Sequence, residues 1–272
     1  VSAIELSSGI TIGYEEQGEG DAVVLIPGTG VDHGIFVAGE QLATLAKRYR
    51  TIGMDHRGTG ESSRDVSDYT IETMADDVIG LLDAVGVERS HILGVSMGAA
   101  IAQHAAIRHP ERVASLVLFS PWAHTDEYLR RLFGDIWHFI YSTAEPEFAG
   151  KATLWWLLSP EFINGQPGVV DQIARDVFAA PTSATRETLL QHVKANLGHD
   201  ARDRLADIRC PALVVAGDGD RVIPPSYSEA VASRIPGARL EVLTGPGAGH
   251  ALFLERAGEV NDLTVEFLTD IQ

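Results

Sequence analysis

A chain of 272 residues with 45% hydrophobic and 22% charged residues has the composition of a soluble globular protein with a sizeable core. Its formal net charge of −17, from 38 acidic against 21 basic side chains, argues against nucleic acid or an anionic membrane as partner. No apolar run approaches the ~18 residues of a membrane span, the first residues lack the basic start and apolar core of a signal peptide, and the single cysteine, Cys210, cannot form an internal disulfide, so the expectation is a cytoplasmic protein.

The first two strands expected, at residues 3–6 and 11–16, are separated by Ser-Ser-Gly and read as an antiparallel hairpin. Short apolar runs follow at 22–26, 51–54, 91–95 and 113–120. Continuous apolar runs of this kind suit strands covered on both faces, as in a parallel sheet. Between them, residues 71–85 form an amphipathic helix: Ile71, Met74, Val78, Leu81, Leu82 and Val85 share one face, with Asp76, Asp77 and Asp83 away from it. From about residue 122 to 208 no strand pattern is visible. Leu129, Leu132, Phe133, Ile136, Trp137 and Ile140 fit one helix face, Val169, Ile173 and Val177 begin another, and all four tryptophans lie in this stretch. The alternation then resumes with strands at 211–216 and 239–243 and helices at 226–235 and 258–270. The expected architecture is α/β, a mostly parallel eight-stranded sheet built from residues 1–121 and 209–272. A helical cap, 122–208, is inserted after the sixth strand, over the carboxyl ends of the strands where ligands of such sheets bind.

One pentapeptide carries the chemistry. Gly94-Val95-Ser96-Met97-Gly98 joins the apolar run ending at Val95 to the small, helix-prone stretch beginning at Ala99. Strand, sharp turn and helix with a serine at the apex is the context of a nucleophile elbow. Bulky residues two positions either side would clash across that turn. A serine hydroxyl needs a base, and the base an orienting partner. Two later loops offer them, each after a strand end: Gly217-Asp218-Gly219-Asp220 and Gly247-Ala248-Gly249-His250. Asp220 is the expected acid, with Asp218 or Asp126 as alternatives. His250 is the expected base because it alone of ten histidines follows the last strand in a glycine-flanked loop.

With Pro27-Gly28-Thr29-Gly30, Asp55-His56-Arg57-Gly58-Thr59-Gly60, the serine turn, Gly217–Asp220 and Gly249-His250 in this order, the chain resembles the α/β-hydrolase fold superfamily from about residue 3 to its end. Within it the small cap and the D-x-R-G-x-G turn are similar to the enol-lactonase, acyl-lactonase and carboxylesterase group. The resemblance implies an α/β-hydrolase fold and a triad of Ser96, Asp220 and His250. It also implies an oxyanion hole from the backbone N–H groups of Met97 and Thr29. Many relatives have His-Gly where this chain has Pro27-Gly28, a departure that affects the packing of the Thr29 loop. Gly28, His33, Trp122, Trp137 and Trp155 are the expected substrate-pocket residues. The Asp55-His56-Arg57 turn is expected to be structural, and Cys210 a core residue.

No metal is expected, because none of the H-x-x-x-H, H-E-x-x-H or H-x-H-x-D-H spacings occurs. No cofactor is expected, because Gly28-Thr29-Gly30 lacks the rest of a dinucleotide fingerprint. The expected activity is cofactor-free hydrolysis of a carboxylic ester or lactone through an acyl-enzyme. N-acyl-homoserine lactones, enol-lactones and short-to-medium acyl esters are the candidate substrates, with water as co-substrate, and the protein is a monomer or homodimer. C–C bond hydrolysis or perhydrolysis on the same triad is the alternative, and a non-catalytic ligand-binding member of the fold a further one.

Overall fold

The computed structural model describes residues 1–64, 67, 69–180 and 183–271; residues 181 and 182 of the expected insertion lie outside them. Eight strands form one sheet: β1 (Ser2–Glu5), β2 (Thr11–Gln17), β3 (Ala22–Ile26), β4 (Arg50–Met54), β5 (Ser90–Val95), β6 (Val113–Phe119), β7 (Ala212–Gly217) and β8 (Arg239–Leu243). Their order is β1-β2-β4-β3-β5-β6-β7-β8. The pairings β1·β2 and β2·β4 are antiparallel and all others parallel. The central strands β3, β5 and β7 are buried at every residue, because helices cover both faces.

One face carries α3 (Ile71–Ala84), α4 (Met97–Arg108) and α11 (Pro225–Ala232); the other carries α1 (Gly34–Ala38), α2 (Gln41–Leu45), α12 (Leu252–Glu255) and α13 (Ala257–Asp270). The short helices α1, α2 and α12 have no signal in the sequence reading, being too brief for a hydrophobic period to show. The helix α3 starts where Thr70 and Thr73 form a capping box. Its Asp77 does not lie on the solvent face as the periodicity predicts. It is buried and receives Arg57 Nε at 2.7 Å and Nη2 at 2.8 Å, and so anchors the turn after β4. A buried carboxylate is tolerable only with such a partner.

Between β6 and β7 the described residues form helices and no strand: α5 (Glu127–Arg130), a π-helical turn at Arg131–Trp137, α6 (His138–Thr143), α7 (Pro146–Leu157), α8 (Pro160–Gly165), α9 (Pro167–Phe178) and α10 (Arg186–Gly198). The two ends of this insertion are zipped together. Ala201 N–H donates to Ala123 O (2.7 Å), Thr125 N–H to His199 O (3.1 Å), and Thr125 Oγ1 to Asn196 O (2.5 Å). No helix among the described residues is long and apolar enough to cross a membrane.

Three buried histidines stitch loops to one another through their Nε2–H groups: His56 to Pro27 O (2.6 Å), His192 to Arg57 O (2.9 Å) and His199 to Trp122 O (2.9 Å). Burial pushes His56 down to about 4, and His192 and His199 down to about 3, so all three are neutral in the fold. The unfolded chain, with histidines near 6.5, therefore binds more protons than the native state between these values. The resulting stability is complete above pH ~6.5 and is lost as pH falls toward ~4, up to about 2 kcal/mol per histidine by pH 5. The midpoint of urea unfolding should accordingly fall markedly from pH 7 to pH 5. A midpoint constant over that range would show that these imidazoles are not buried neutral.

Candidate active site

The serine lies at the junction of β5 and α4. Ser96 has φ 54° and ψ −118°, a left-handed conformation that costs a non-glycine residue about 1–3 kcal/mol. Its N–H is tied to Phe119 O on the neighbouring strand (2.9 Å). A Cβ on Gly94 would collide with the carbonyl of Gly98, and one on Gly98 with the carbonyl of Ile26. Both glycines are therefore required by close backbone approach. The turn leaves the N–H groups of the first residues of α4, Met97 foremost, without intrahelical acceptors.

The loops after β7 and β8 supply the other two groups. Asp220 Oδ1 accepts the N–H groups of Val222 and Ile223, both at 2.8 Å, and its Oδ2 faces His250 Nδ1 at 2.8 Å. Both side chains are at least 95% buried. A carboxylate only accepts, so Nδ1 carries the proton and Nε2 is the imidazole's free lone pair. The two loops are held together by Gly219 N–H to Ala248 O (2.9 Å), and a Cβ on Gly217 would strike the same carbonyl. The two alternative acids are occupied elsewhere. Asp218 receives Gly245 N–H at 3.3 Å, and Asp126 caps α5 and accepts from the Tyr227 hydroxyl (2.8 Å). Ser96 and His250 line one cavity of about 600 Å³. Their side chains are not hydrogen-bonded to each other, and a bond between such a pair often tightens only around substrate.

Gly28 and Thr29 line the same cavity, and their loop is held from several sides. Pro27 O accepts from His56, Gly30 N–H donates to His192 Nδ1 (3.1 Å), and Asn196 Nδ2 donates to Thr29 Oγ1 (2.9 Å). His192 Nε2 is already a donor to Arg57 O, so its tautomer is fixed and Nδ1 accepts. Thr188, one turn earlier on α10, donates its hydroxyl to Gly58 O (3.1 Å). Residues 188, 192 and 196 thus form one face of α10 clamped onto the loops that follow β3 and β4. Sequence reasoning missed this clamp. The i, i+4, i+8 spacing is visible, but nothing local indicates what that face meets.

Of the expected pocket residues, Gly28 and Trp137 line the cavity and three do not. Trp122 is fully buried beneath the insertion, packed on Phe133 and His199, with Nε1 donating to Thr125 Oγ1 (3.2 Å). Trp155 is 55% exposed, on the outside of α7 under the Arg221 guanidinium (4.6 Å). His33 turns away from the cavity, its Nδ1 2.6 Å from Asp55 and its Nε2 3.3 Å from Glu15. Burial opposes charge there, but the Asp55 hydrogen bond and the surrounding carboxylates raise the imidazole above its usual range. Asp32, His33 and Asp55 are the one set of potential metal ligands clustered among the described residues. With both ring nitrogens of His33 aimed at carboxylates, the imidazole acts as a donor and does not fit a cation. Tyr141, Leu154, Phe162 and Ile173 from the insertion complete a largely apolar wall.

Residues 21–257 match the alpha/beta hydrolase fold family. The chain is 34% identical over 259 residues, 95% of each chain, to a protein of Azorhizobium caulinodans named "Putative carbamate hydrolase RutD". Among solved structures it is similar to Est816, described as an N-acyl homoserine lactone degrading enzyme (TM-score 0.83, 28% identity, 98% of this chain and 100% of that one). It is also similar to the enol-lactonase of Burkholderia xenovorans LB400 (TM-score 0.85, 26% identity, 98% and 100%). The sheet order, the strained serine turn and these matches agree: the chain belongs to the alpha/beta hydrolase fold family.

Proposed function

We propose that this hydrolase is a serine enzyme that cleaves a carboxylic ester or lactone through an acyl-enzyme. The observation that carries the reading is the Asp220–His250 hydrogen bond of 2.8 Å beside the cavity on which Ser96 opens. Ser96 Oγ attacks the carbonyl carbon while its proton passes to His250 Nε2. Asp220 holds the tautomer and stabilises the imidazolium. The negative charge on the tetrahedral oxygen is received by the N–H groups of Met97 and Thr29. The C–O bond then breaks and the leaving oxygen takes the proton from Nε2. Water repeats the sequence at the acyl carbon, releasing the acid and restoring Ser96. The insertion serves as the cap, and its apolar wall takes the acyl chain or lactone ring.

Lactones are supported by the two structural relatives, whose described activities are both on lactones. The carbamate named for the sequence relative presents the same electrophilic carbonyl. The cavity volume and apolar wall favour a substrate with a hydrocarbon portion over a small polar one. C–C hydrolysis or perhydrolysis would use the same triad, and a turnover panel separates them: acyl-homoserine lactones, enol-lactones, short 4-nitrophenyl esters, carbamates and diketones. Turnover confined to diketones would replace the ester and lactone reading.

Ser96→Ala should lower kcat on a 4-nitrophenyl ester by ~10⁴-fold or more while circular dichroism and thermal midpoint stay close to wild type. A variant retaining a tenth of the activity would remove Ser96 from the nucleophile role. A second expectation concerns the clamp on the oxyanion loop. His192→Leu should reduce kcat by ~10–100-fold with KM little changed, since the lost hydrogen bond holds donors needed in the transition state. His192→Gln, which can still accept and donate, should recover part of it. An unchanged kcat in His192→Leu, or an effect confined to KM, would show that α10 does not set the geometry of the hole.

A further inference from the structure

Among the described residues, no lysine or arginine lines the cavity beside Ser96 and His250. Apart from His250 and the Tyr141 phenol, its ionisable side chains are two carboxylates, Asp32 and Asp176. Asp32 lies three residues past Thr29, half-buried, and its Oδ1 accepts the N–H of Gly34 at 2.9 Å. That bond, its only one among the described residues, fixes the carboxylate at the wall and leaves Oδ2 without a partner. Burial and the neighbouring Asp55 raise its pKa above the usual carboxylate value, partly offset by the Gly34 N–H and by His33. Asp176 stands exposed on α9, where both its oxygens accept from Gln172 Nε2 at 2.8 Å. Gln172 lines the cavity as well. Of the cations on that side, Lys151 pairs with Glu147 and Asp171, and Arg175, next to Asp176 in sequence but not on the wall, donates to Gln172 Oε1 at 2.9 Å.

We propose that the site selects substrates without an anionic group, Asp32 and Asp176 rejecting carboxylate-bearing esters and lactones. The proposal rests on the serine-hydrolase reading above and narrows it to neutral or cationic substrates. A substrate carboxylate would leave water for a wall that offers it no cation and two like charges. The same arrangement separates substrate from product. Breaking the acyl C–O bond with water turns a neutral ester into an acid that ionises at neutral pH, so the negative charge appears in the cavity only after the chemistry. Repulsion from Asp32 then favours its departure.

The test compares kcat/KM for three 4-nitrophenyl esters of similar length: the butyrate (neutral), the hemisuccinate (anionic) and the 4-(trimethylammonio)butyrate (cationic). The butyrate and the cationic ester should fall within ~10-fold of each other and the hemisuccinate at least ~30-fold below the butyrate. Asp32→Asn keeps an acceptor for Gly34, and Asp176→Asn changes an exposed position, so the two variants perturb the fold independently and little. Each should narrow the butyrate-to-hemisuccinate ratio by ~3–10-fold. Parity of hemisuccinate and butyrate in the unmodified enzyme, or a ratio unmoved in both variants, would overturn the charge selection while leaving the serine reading intact. Turnover of none of the three esters would overturn both.

Discussion

A serine held at φ 54° between two glycines is the constraint on which the rest of this structure depends. The conformation is unfavourable by itself and persists because its surroundings over-determine it. The N–H of Ser96 is tied to β6, Gly94 meets Gly98 across the turn, and Gly98 brings the start of α4 against the end of β3. That last approach also explains the composition of α4, whose Ala99, Ala100, Ala102, Ala105 and Ala106 are at most 1% exposed. Small side chains let a helix approach the sheet this closely, while Ile101 and Gln103 of the same helix are buried too. Parallel pairing of β3, β5, β6, β7 and β8 then does the remaining work of assembly. It directs the loops carrying Thr29, Ser96, Asp220 and His250 to one edge, although Ser96 and Asp220 are separated by the whole insertion.

The insertion is coupled to the loops of the candidate site from below. One face of α10 reaches the loop after β3 through His192 and Asn196, and the turn after β4 through Thr188 and His192. Leu189 Cδ2 occupies the place that a Cβ on Gly30, which has φ 73°, would take. The loop that lines the cavity is therefore held as much by the insertion as by the sheet. Bonds across residues 123–125 and 196–201 close the base of the insertion. A displacement of α10 would move Thr29 with it, whereas α7 and α9, which supply part of the apolar wall, make no such bonds to the loop among the described residues. Within one insertion, the helix that sets geometry and the helices that set shape are distinct.

Legibility in the sequence followed the range of the interactions. Strands read correctly to within one or two residues because the central ones are continuous apolar runs bounded by turns, a purely local signal. The serine turn and the loops ending in Asp220 and His250 were visible because close backbone approach leaves glycines behind, as at Gly94, Gly98 and Gly217. What failed were inferences about which way a side chain faces when its partner is distant in sequence. Asp77 sits on what the helical period marks as a polar face, yet Arg57 draws it inside. Trp122 and Trp155 are equally apolar in the sequence, but one is fully buried under Phe133 and the other lies outside beneath Arg221. His33 follows the Thr29 loop closely enough to suggest a pocket wall, but Asp55 and Glu15 turn it the other way.

Histidine shows how far environment outweighs identity. The sequence offers ten imidazoles and one cysteine, a ratio that by itself invites a metal. The structure sorts the buried ones by their neighbours instead. Where a backbone carbonyl is the partner and burial is complete, as at His56, His192 and His199, the ring is neutral and serves as a fixed cross-link. Where carboxylates face both nitrogens, as at His33, the ring is biased toward the cation. Only His250 combines one carboxylate on Nδ1 with a free Nε2 on the cavity beside Ser96. The asymmetry that the proposed general base requires, held on one side and unencumbered on the other, distinguishes it from the four rings that are bonded at both ends or locked to backbone.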